Sequence, residues 1–205
     1  MRTDRELLMM YVVRHGQTNM NNRQALQGRS DFPLNETGIA QARELAAWLA
    51  ERGITFDHVF SSPLVRAVQT AELVAPGIEV MTDERLIEMD DGPYEGCDLT
   101  SPPPEVIEFF SDFVHNPAPA GMEQLSSVVN RTGEFVESIK GLSGNILVST
   151  HAIAMKGILE YLTPTSQGSY WSKYIGNCAA YAIESLDGAL GVPYEYDAGQ
   201  GKVGI

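Results

Sequence analysis

Apolar residues along the chain fall into two patterns, short continuous runs and longer stretches at helical spacing. Residues 7–13 form a compact apolar run that stops at Arg14-His15-Gly16, which predicts a buried strand leading into a loop. Within residues 37–52 the apolar positions recur every three or four residues, which predicts a helix ended by Gly53. Residues 19–33 are polar and contain glycine, so we expect a loop between these two elements.

The same alternation of strand and helix patterns continues to the end of the chain. Further strands are predicted at residues 57–61, 78–82, 145–150, 178–186 and 193–196, and further helices at residues 64–75, 123–139 and 153–162. For the helix at residues 64–75 we expect Ser62 as the N-cap and Pro63 in the first helical position. Strands that alternate with helices predict an α/β fold, a three-layer α/β/α sandwich around a mainly parallel sheet.

One segment departs from this alternation. Residues 92–121 are rich in proline and contain a short amphipathic piece at residues 106–114. We interpret this segment as a cap or flap inserted into a single domain that spans residues 1–205. A chain of 205 residues suits one large domain, which supports that interpretation.

Charge narrows the choice of partners. The chain has 14 basic and 27 acidic residues and a formal net charge of −13, which argues against nucleic acid or an anionic membrane as a partner. A small anionic substrate is compatible with this charge, because a few arginines in a cleft can reverse the local field. The oligomeric state stays open.

Cysteine usage and the N-terminal residues bear on the compartment. Cys97 and Cys178 stand apart in the sequence, which suggests neither a zinc knuckle nor a disulfide framework. The apolar run at residues 7–13 is too short to span a membrane, and no small-residue cleavage signal follows it. We therefore expect a cytoplasmic protein.

Charged side chains come directly after several of the predicted strands. Arg14 and His15 follow the first strand, Glu88 lies past the third, and His151 follows the fourth. In open α/β sheets, ligands bind beyond the carboxyl ends of the strands. We expect these residues to meet there, together with Arg66 near a helix N-terminus that favours anions.

The side chains that meet are two guanidiniums and two imidazoles. Guanidiniums offer forked donors that match phosphate oxygens, and imidazoles can supply a nucleophile and a further donor. Hydrolysis of a phosphate monoester needs an acceleration of up to ~10²¹-fold, so a nucleophile, an anion clamp and an acid for the leaving group are all required. A metal site built on His15 and His151 is the alternative, but the neighbouring arginines would repel a cation, so we expect no metal.

These residues stand within motifs that resemble those of the histidine phosphatase superfamily, the phosphoglycerate mutase-like group. The matching motifs, in chain order, are Arg14-His15-Gly16-Gln17-Thr18, Asn21, Gln27-Gly28, Leu34-Asn35-Glu36-Thr37-Gly38, Ser61-Ser62-Pro63 with Arg66 and Gln69-Thr70-Ala71, Glu88, Tyr94-Glu95-Gly96 and His151. They extend over residues 11–159 in the order expected for the family. The Arg-His-Gly triplet alone is a weak signal, and the whole series is a strong one.

The resemblance implies a role for each of these residues. His15 would be the nucleophile, neutral, with its second ring nitrogen bonded to an acceptor such as a backbone carbonyl. Arg14, Arg66 and His151 would hold the three oxygens of the transferred group without a metal or another cofactor. Glu88 would be the general acid, with a pKa raised by burial or by nearby negative charge. The implied substrate-binding residues are Arg14, Asn21, Gln27, Gly28, Arg66 and His151.

Some departures from the family pattern favour a phosphatase over a mutase. Mutases of this group place a basic residue just beyond the catalytic Glu, where it helps hold the carboxylate of phosphoglycerate. Here Met89-Asp90-Asp91 follow Glu88, and two acids would repel that carboxylate. Gln27 is also commoner in the phosphatases of the group. Arg29, Tyr94 and Ala152-Ile153 depart from the pattern as well, which we interpret as changes in packing or pocket shape.

We therefore expect a metal-independent phosphatase that hydrolyses a small phosphomonoester through a phosphohistidine intermediate. A cofactor-dependent phosphoglycerate mutase is the alternative enzyme. A non-catalytic module that binds a phosphorylated ligand is the alternative outside the enzymes. The intact set of His15, Glu88 and His151 argues against the binding module, because binding alone needs no nucleophile.

Overall fold

A computed structural model of the chain describes residues 7–186 and 188–196. The predicted single domain over residues 1–205 therefore extends beyond the described residues at both ends. Within them the fold is α/β with a central, mostly parallel sheet, as the sequence predicts. The division into one domain with an inserted cap stays a prediction.

The sheet contains the predicted strands and one short strand, β6, that the sequence does not predict. Its strands are β1 (Leu7–Arg14), β2 (His58–Ser61), β3 (Val80–Thr82), β4 (Gly144–Thr150), β5 (Ala180–Leu186), β6 (Ala189–Leu190) and β7 (Tyr194–Tyr196). In the described part of the chain the strand order is β3-β2-β4-β1-β5-β6, and β7 also pairs with β5. The pairs among β1 to β4 are parallel, whereas β5 runs antiparallel to β1. The carboxyl ends of β1, β2 and β4 consequently meet at one edge.

The helices mostly follow the predicted spans. They are α1 (Asn19–Asn22), α2 (Glu36–Glu51), α3 (Val65–Val74), α4 (Pro104–Ser111), α5 (Leu125–Ile139) and α6 (Ala152–Leu162). The four-residue helix α1 lies where the sequence predicts loop, and a reciprocal capping box between Thr18 and Asn21 explains its formation. Among the described residues, none of the helices combines the length and the apolar character needed to cross a bilayer.

Three layers result from the two-residue period of the strands. In β1, Met10 and Val12 face a cluster that includes residues of α5 and α6, whereas Tyr11 and Val13 face residues of α2 and α3. The central strands are thus buried on both faces, which explains their continuous apolar sequences. This arrangement confirms the predicted α/β/α sandwich.

The predicted start of α3 is wrong. The helix begins at Val65, and its N-cap is Leu64, which makes no side-chain capping bond. Ser62 lies before the helix, where its hydroxyl oxygen accepts from the amide of Leu64 at 3.3 Å and lies 2.7 Å from His151 Nε2. The serine therefore makes a local contact and also a contact with a residue 89 positions away.

The proline-rich residues 92–121 pack on the rest of the fold through their own apolar cluster. Val106 and Phe109 of α4 are buried against Val128 of α5 and against Met89 and Met122, which lie outside the helices. Tyr94 donates a hydrogen bond to Glu105 on α4 at 3.1 Å. The segment is therefore held over the carboxyl edge of the sheet by apolar and polar contacts.

Two glycines allow the loop after β1 to approach the first turn of α2. A Cβ added at Gly38 would overlap the backbone of Gln17, and one at Gly16 would overlap the backbone of Gly38. The two backbone segments are so close that neither position has room for a side chain. This close approach holds the loop that carries His15.

We expect Gly38→Ala to lower the free energy of unfolding by about 1–3 kcal/mol, although alanine is the better helix former. Gly141→Ala is the control, since an added Cβ there meets nothing within 4 Å, and it should change stability by less than about 0.5 kcal/mol. Urea denaturation measures both values. Equal stability of the two variants would show that the close approach does not constrain the fold.

Candidate active site

Two histidines and two arginines from distant parts of the sequence meet at the carboxyl edge of the sheet. Arg14 ends β1 and His15 follows it, while His151 follows β4 and is the N-cap residue of α6. The His15 and His151 rings lie edge to face with centroids 5.1 Å apart. Arg66, the second residue of α3, forms a hydrogen bond with the His15 ring. The expected convergence is therefore present.

His15 is held as a neutral imidazole with a defined tautomer. Its Nδ1 lies 2.7 Å from the carbonyl oxygen of Gly16, which can only accept, so Nδ1 carries the proton. Its Nε2 is then unprotonated, and its lone pair accepts a hydrogen bond from Arg66 Nε at 3.2 Å. Burial, followed by the charges of Arg14 and Arg66, holds the pKa of His15 well below its usual value. The resemblance implies that the second ring nitrogen of His15 bonds to an acceptor, and this acceptor is the backbone carbonyl of Gly16.

Arg66 is fully buried and is oriented by backbone carbonyls. Its two terminal nitrogens donate to the carbonyl oxygens of Gly28 at 2.7 Å and of Ser30 at 2.8 Å. Burial lowers the pKa of Arg66 to about 10, against the opposing influence of Glu88, so the group stays charged at neutral pH. The guanidinium therefore brings a fixed positive charge to His15.

The loop that holds Arg66 is itself held by Glu95. The Glu95 carboxylate accepts hydrogen bonds from the backbone of Gly28 and Arg29, each at 3.1 Å, and from the hydroxyl of Ser30. The backbone amide of Gly28 thus donates to Glu95, and its carbonyl oxygen accepts from Arg66. The structure places Gly28 as a support for Arg66, and the predicted contact of Gly28 with substrate stays a prediction.

Three buried polar atoms face this cluster with no hydrogen-bond partner in the part of the chain that the structure describes. They are Arg14 Nε, Gln27 Nε2 and His151 Nδ1. Buried polar groups are almost always satisfied in folded proteins, because an unmade bond costs about 1–3 kcal/mol. Arg14 and Gln27 can only donate from these atoms. The arrangement is suited to an anion with several acceptor oxygens.

His151 is oriented by Ser62. The Ser62 hydroxyl oxygen accepts from the amide of Leu64 at 3.3 Å and lies 2.7 Å from His151 Nε2. Donation by the hydroxyl to Nε2 leaves the ring proton on Nδ1, which favours a donor directed into the site. Burial is the first cause that holds the pKa of His151 well below its usual value, followed by the charge of Arg66.

Neutral side chains lie beside the two arginines and the two histidines. Thr18 donates to Gln27 Oε1 at 2.7 Å, which orients the Gln27 amide so that Nε2 stays unused. Asn21 accepts from the backbone of Thr18 at 3.1 Å and from Asn177 at 3.3 Å. Asn177 also donates to the carbonyl oxygen of His15 at 3.0 Å. Asn177 stands in no motif of the sequence, where it is only a polar residue shortly before a predicted strand.

The Glu88 carboxylate is bound at the N-terminus of α6. Its oxygens accept from the backbone amides of Met89 at 2.9 Å, Ala154 at 3.0 Å and Ile153 at 3.2 Å. The side chain is buried and lines the same cavity as His15. The Ala152-Ile153 departure therefore leaves this contact intact, since backbone amides make it. The acid role of Glu88 stays a prediction.

Asp90 and Asp91 carry less free negative charge than the sequence suggests. Asp90 forms an ion pair with Arg29 at 3.3 Å. Asp91 is buried, and its pKa is raised to about 8 by that burial and by the charges of Glu88 and Glu95. Asp91 is therefore mostly protonated at neutral pH. The predicted repulsion of a substrate carboxylate is weakened accordingly, and so is that part of the case against a mutase.

The cluster opens into a cavity of about 820 Å³. Besides Arg14, His15 and Glu88, the cavity walls include residues of the proline-rich segment and of residues 166–175. The walls also include Phe113, Trp171 and, from α6, Lys156, and the last two stand in no motif of the sequence. Within residues 7–186 and 188–196, no three His, Cys, Asp or Glu side chains gather into a possible metal site.

Comparison with known proteins gives a consistent family. A sequence profile of the histidine phosphatase superfamily (branch 1) matches residues 10–192. A relative named probable phosphoglycerate mutase GpmB, from Yersinia pestis (strain Pestoides F), is 35% identical over 186 residues. The match covers 87% of this chain and 85% of the relative.

Solved structures share the fold. Phosphoglycerate mutase from Bacillus anthracis (strain Sterne) superposes with a TM-score of 0.79 at 25% identity, over 97% of each chain. Phosphoserine phosphatase from Entamoeba histolytica, in complex with 3-phosphoglyceric acid, gives a TM-score of 0.74 at 24% identity. That likeness covers 87% of this chain and 94% of the other, and it shows the fold alone.

We expect Asp91→Asn to stabilise the protein increasingly as the pH rises. Between about pH 4 and pH 8 the folded protein keeps a proton on Asp91 that the unfolded chain has lost, so the wild type loses stability over this range. Asparagine does not titrate, and its advantage should grow by about 1 kcal/mol or more between pH 5 and pH 8, or about 2–4 °C in Tm.

Thermal unfolding at both pH values measures this difference. Asp98→Asn is the control, because the pKa of this exposed carboxyl is lowered and the group is ionised in both states over this range. A pH-independent difference between wild type and Asp91→Asn would contradict the burial of a protonated Asp91.

Proposed function

Since the chain belongs to the histidine phosphatase superfamily, we propose that it is a metal-independent phosphatase that hydrolyses a small phosphomonoester through a phosphohistidine at His15. One observation carries this proposal. A neutral imidazole presents an unprotonated Nε2 inside a buried set of Arg14, Arg66 and His151, in which Arg14 and His151 retain unpartnered nitrogens.

In the first step, His15 Nε2 attacks the phosphorus atom in line with the ester oxygen. The N–P bond forms as the P–O bond to the leaving alcohol breaks, and Glu88 gives the departing oxygen its proton. Arg14, Arg66 and His151 bind the three equatorial oxygens of the transferred group. Their contribution is electrostatic, since they are fixed by the fold before charge develops.

In the second step, water attacks the phosphohistidine from the side that the alcohol has left. Glu88, now a carboxylate, takes the proton of the water, the N–P bond breaks, and inorganic phosphate and neutral His15 are released. Glu88 is suited to this exchange because backbone amides of α6 orient its carboxyl group toward the cavity that His15 lines. Each group returns to its starting state.

A phosphoglycerate mutase is the second candidate. The name of the relative from Yersinia pestis favours it, and the protonated Asp91 removes part of the repulsion of a carboxylate. A mutase would keep the phosphohistidine long enough to return the phosphoryl group to a substrate. Isomerisation of 3-phosphoglycerate that rises with 2,3-bisphosphoglycerate, with little release of phosphate, would favour the mutase over the phosphatase.

We expect His15→Ala to lose turnover of p-nitrophenyl phosphate by about 10³-fold or more, because the variant has no nucleophile to accept the phosphoryl group. Wild-type activity should persist in EDTA. His115→Ala is the control, since this histidine is largely exposed and pairs with Asp112. Retained activity in His15→Ala would contradict the mechanism, and binding of phosphate without any wild-type turnover would indicate a binding module.

The acid role of Glu88 predicts a dependence on the leaving group. Glu88→Gln should slow cleavage of glycerol 3-phosphate, an alkyl ester, by about 100-fold, and that of p-nitrophenyl phosphate by less than about tenfold. Nitrophenolate leaves without a proton, whereas an alkoxide does not. Steady-state rates on the two esters measure the difference, and an equal loss on both would count against Glu88 as the acid.

A further inference from the structure

Lys156 is a buried cation that the proposed mechanism does not use. It lies on α6, five residues after His151, and only 8% of it is exposed. Its side chain lines the same cavity as His15 and Glu88. Lysine is almost never buried to this degree without a charged partner.

The partners of the Lys156 amine are few. Nζ donates to the carbonyl oxygen of Trp171 at 2.7 Å and lies 5.4 Å from the centroid of the Phe113 ring. Within residues 7–186 and 188–196, no carboxylate oxygen lies within 4 Å of it. An ammonium group has three donors, so two remain for other acceptors. A buried charge without a counterion is costly, and an anion in the cavity would remove that cost.

The position of Lys156 is on the side of the leaving group. Lys156 lies two residues after Ala154 on α6, and the Ala154 amide binds the Glu88 carboxylate, so Lys156 and Glu88 line one cavity from the same end of this helix. Glu88 is the residue proposed to protonate the leaving oxygen, whereas Arg14, Arg66 and His151 surround His15. A group of the substrate that reaches Lys156 therefore belongs to the alcohol and not to the transferred phosphoryl group.

Building on the proposed function, we propose that Lys156 binds a second oxyanion, a carboxylate or a phosphate, carried by the leaving alcohol of the substrate. The substrate class is then a small phosphomonoester with an acidic group a few atoms from the ester oxygen. Phe113 and Trp171 flank the amine and restrict the space beside it. Asp91 also lines this cavity, and because it is mostly protonated it adds little negative charge that would oppose an anion there.

Binding to the His15→Ala protein tests the inference without turnover. Calorimetry compares 3-phosphoglycerate with glycerol 3-phosphate, which differ in a carboxylate against a hydroxymethyl group. Fructose 1,6-bisphosphate against fructose 6-phosphate provides the phosphate arm. We expect the more acidic member of at least one pair to bind about tenfold more tightly, and the pair that shows the preference identifies the anion.

Substitution of Lys156 should abolish that preference. In the His15→Ala background, Lys156→Gln keeps a donor for the Trp171 carbonyl but removes the charge, and Lys156→Met removes both. Either variant should lose about tenfold affinity for the acidic ligand and little for its neutral counterpart. Lys140→Met is the control for net charge, because this exposed lysine pairs with Glu137 on the protein surface.

Two results would overturn the inference. The first is equal binding of both members of each pair by His15→Ala alone, a result that does not require any Lys156 variant to fold. The second is an equal loss for both members on substitution, which would make Lys156 only a tether for Trp171. If wild type hydrolyses no monoester while the Lys156-dependent preference is present, the proposed function fails and this inference stands.

Discussion

An imidazole that stays uncharged between two guanidiniums is the constraint on which the rest of the site depends. The contact of Arg66 Nε with His15 Nε2 requires a lone pair on that nitrogen, so protonation of His15 would turn an attractive contact into a repulsive one. Burial and the charges of the two arginines all lower the pKa of His15. The Gly16 carbonyl accepts the hydrogen bond from Nδ1, so Nε2 is the nitrogen that stays unprotonated. The nucleophile of the proposed mechanism is thus kept neutral by the same charges that would bind the phosphoryl group.

The fold supplies this arrangement through supports that lie outside the cluster. Glu95 binds the loop at Gly28 and Ser30, the carbonyls of that loop orient Arg66, and Arg66 meets His15. Asn177 holds the other side, through the His15 carbonyl. The side chain of Arg29 takes part in none of these hydrogen bonds. Arg29 accordingly departs from the family pattern without disturbing Arg66.

The sequence was sufficient to predict site residues whose position follows from the ends of the parallel strands. Arg14, His15 and His151 were predictable because they follow strands, and parallel strands end at one edge of the sheet. The start of α3 was not predictable, because Ser62-Pro63 has the local features of a helix start, whereas the helix begins only at Val65. Lys156 and Asn177 were missed for a related reason. Their roles come from what the fold places opposite them, and neither stands in a recognisable spacing.

Helix α6 joins features that are usually treated as separate. Its N-cap residue is His151, its first amides bind Glu88, and its second turn carries Lys156. A rigid shift of this one helix would therefore move His151 and Lys156 and, through the two amides, Glu88. If these three residues act as proposed, such a shift would change substrate selectivity and rate together. Exchange of α6 as a block between homologues would transfer both properties, whereas single replacements along it would separate them.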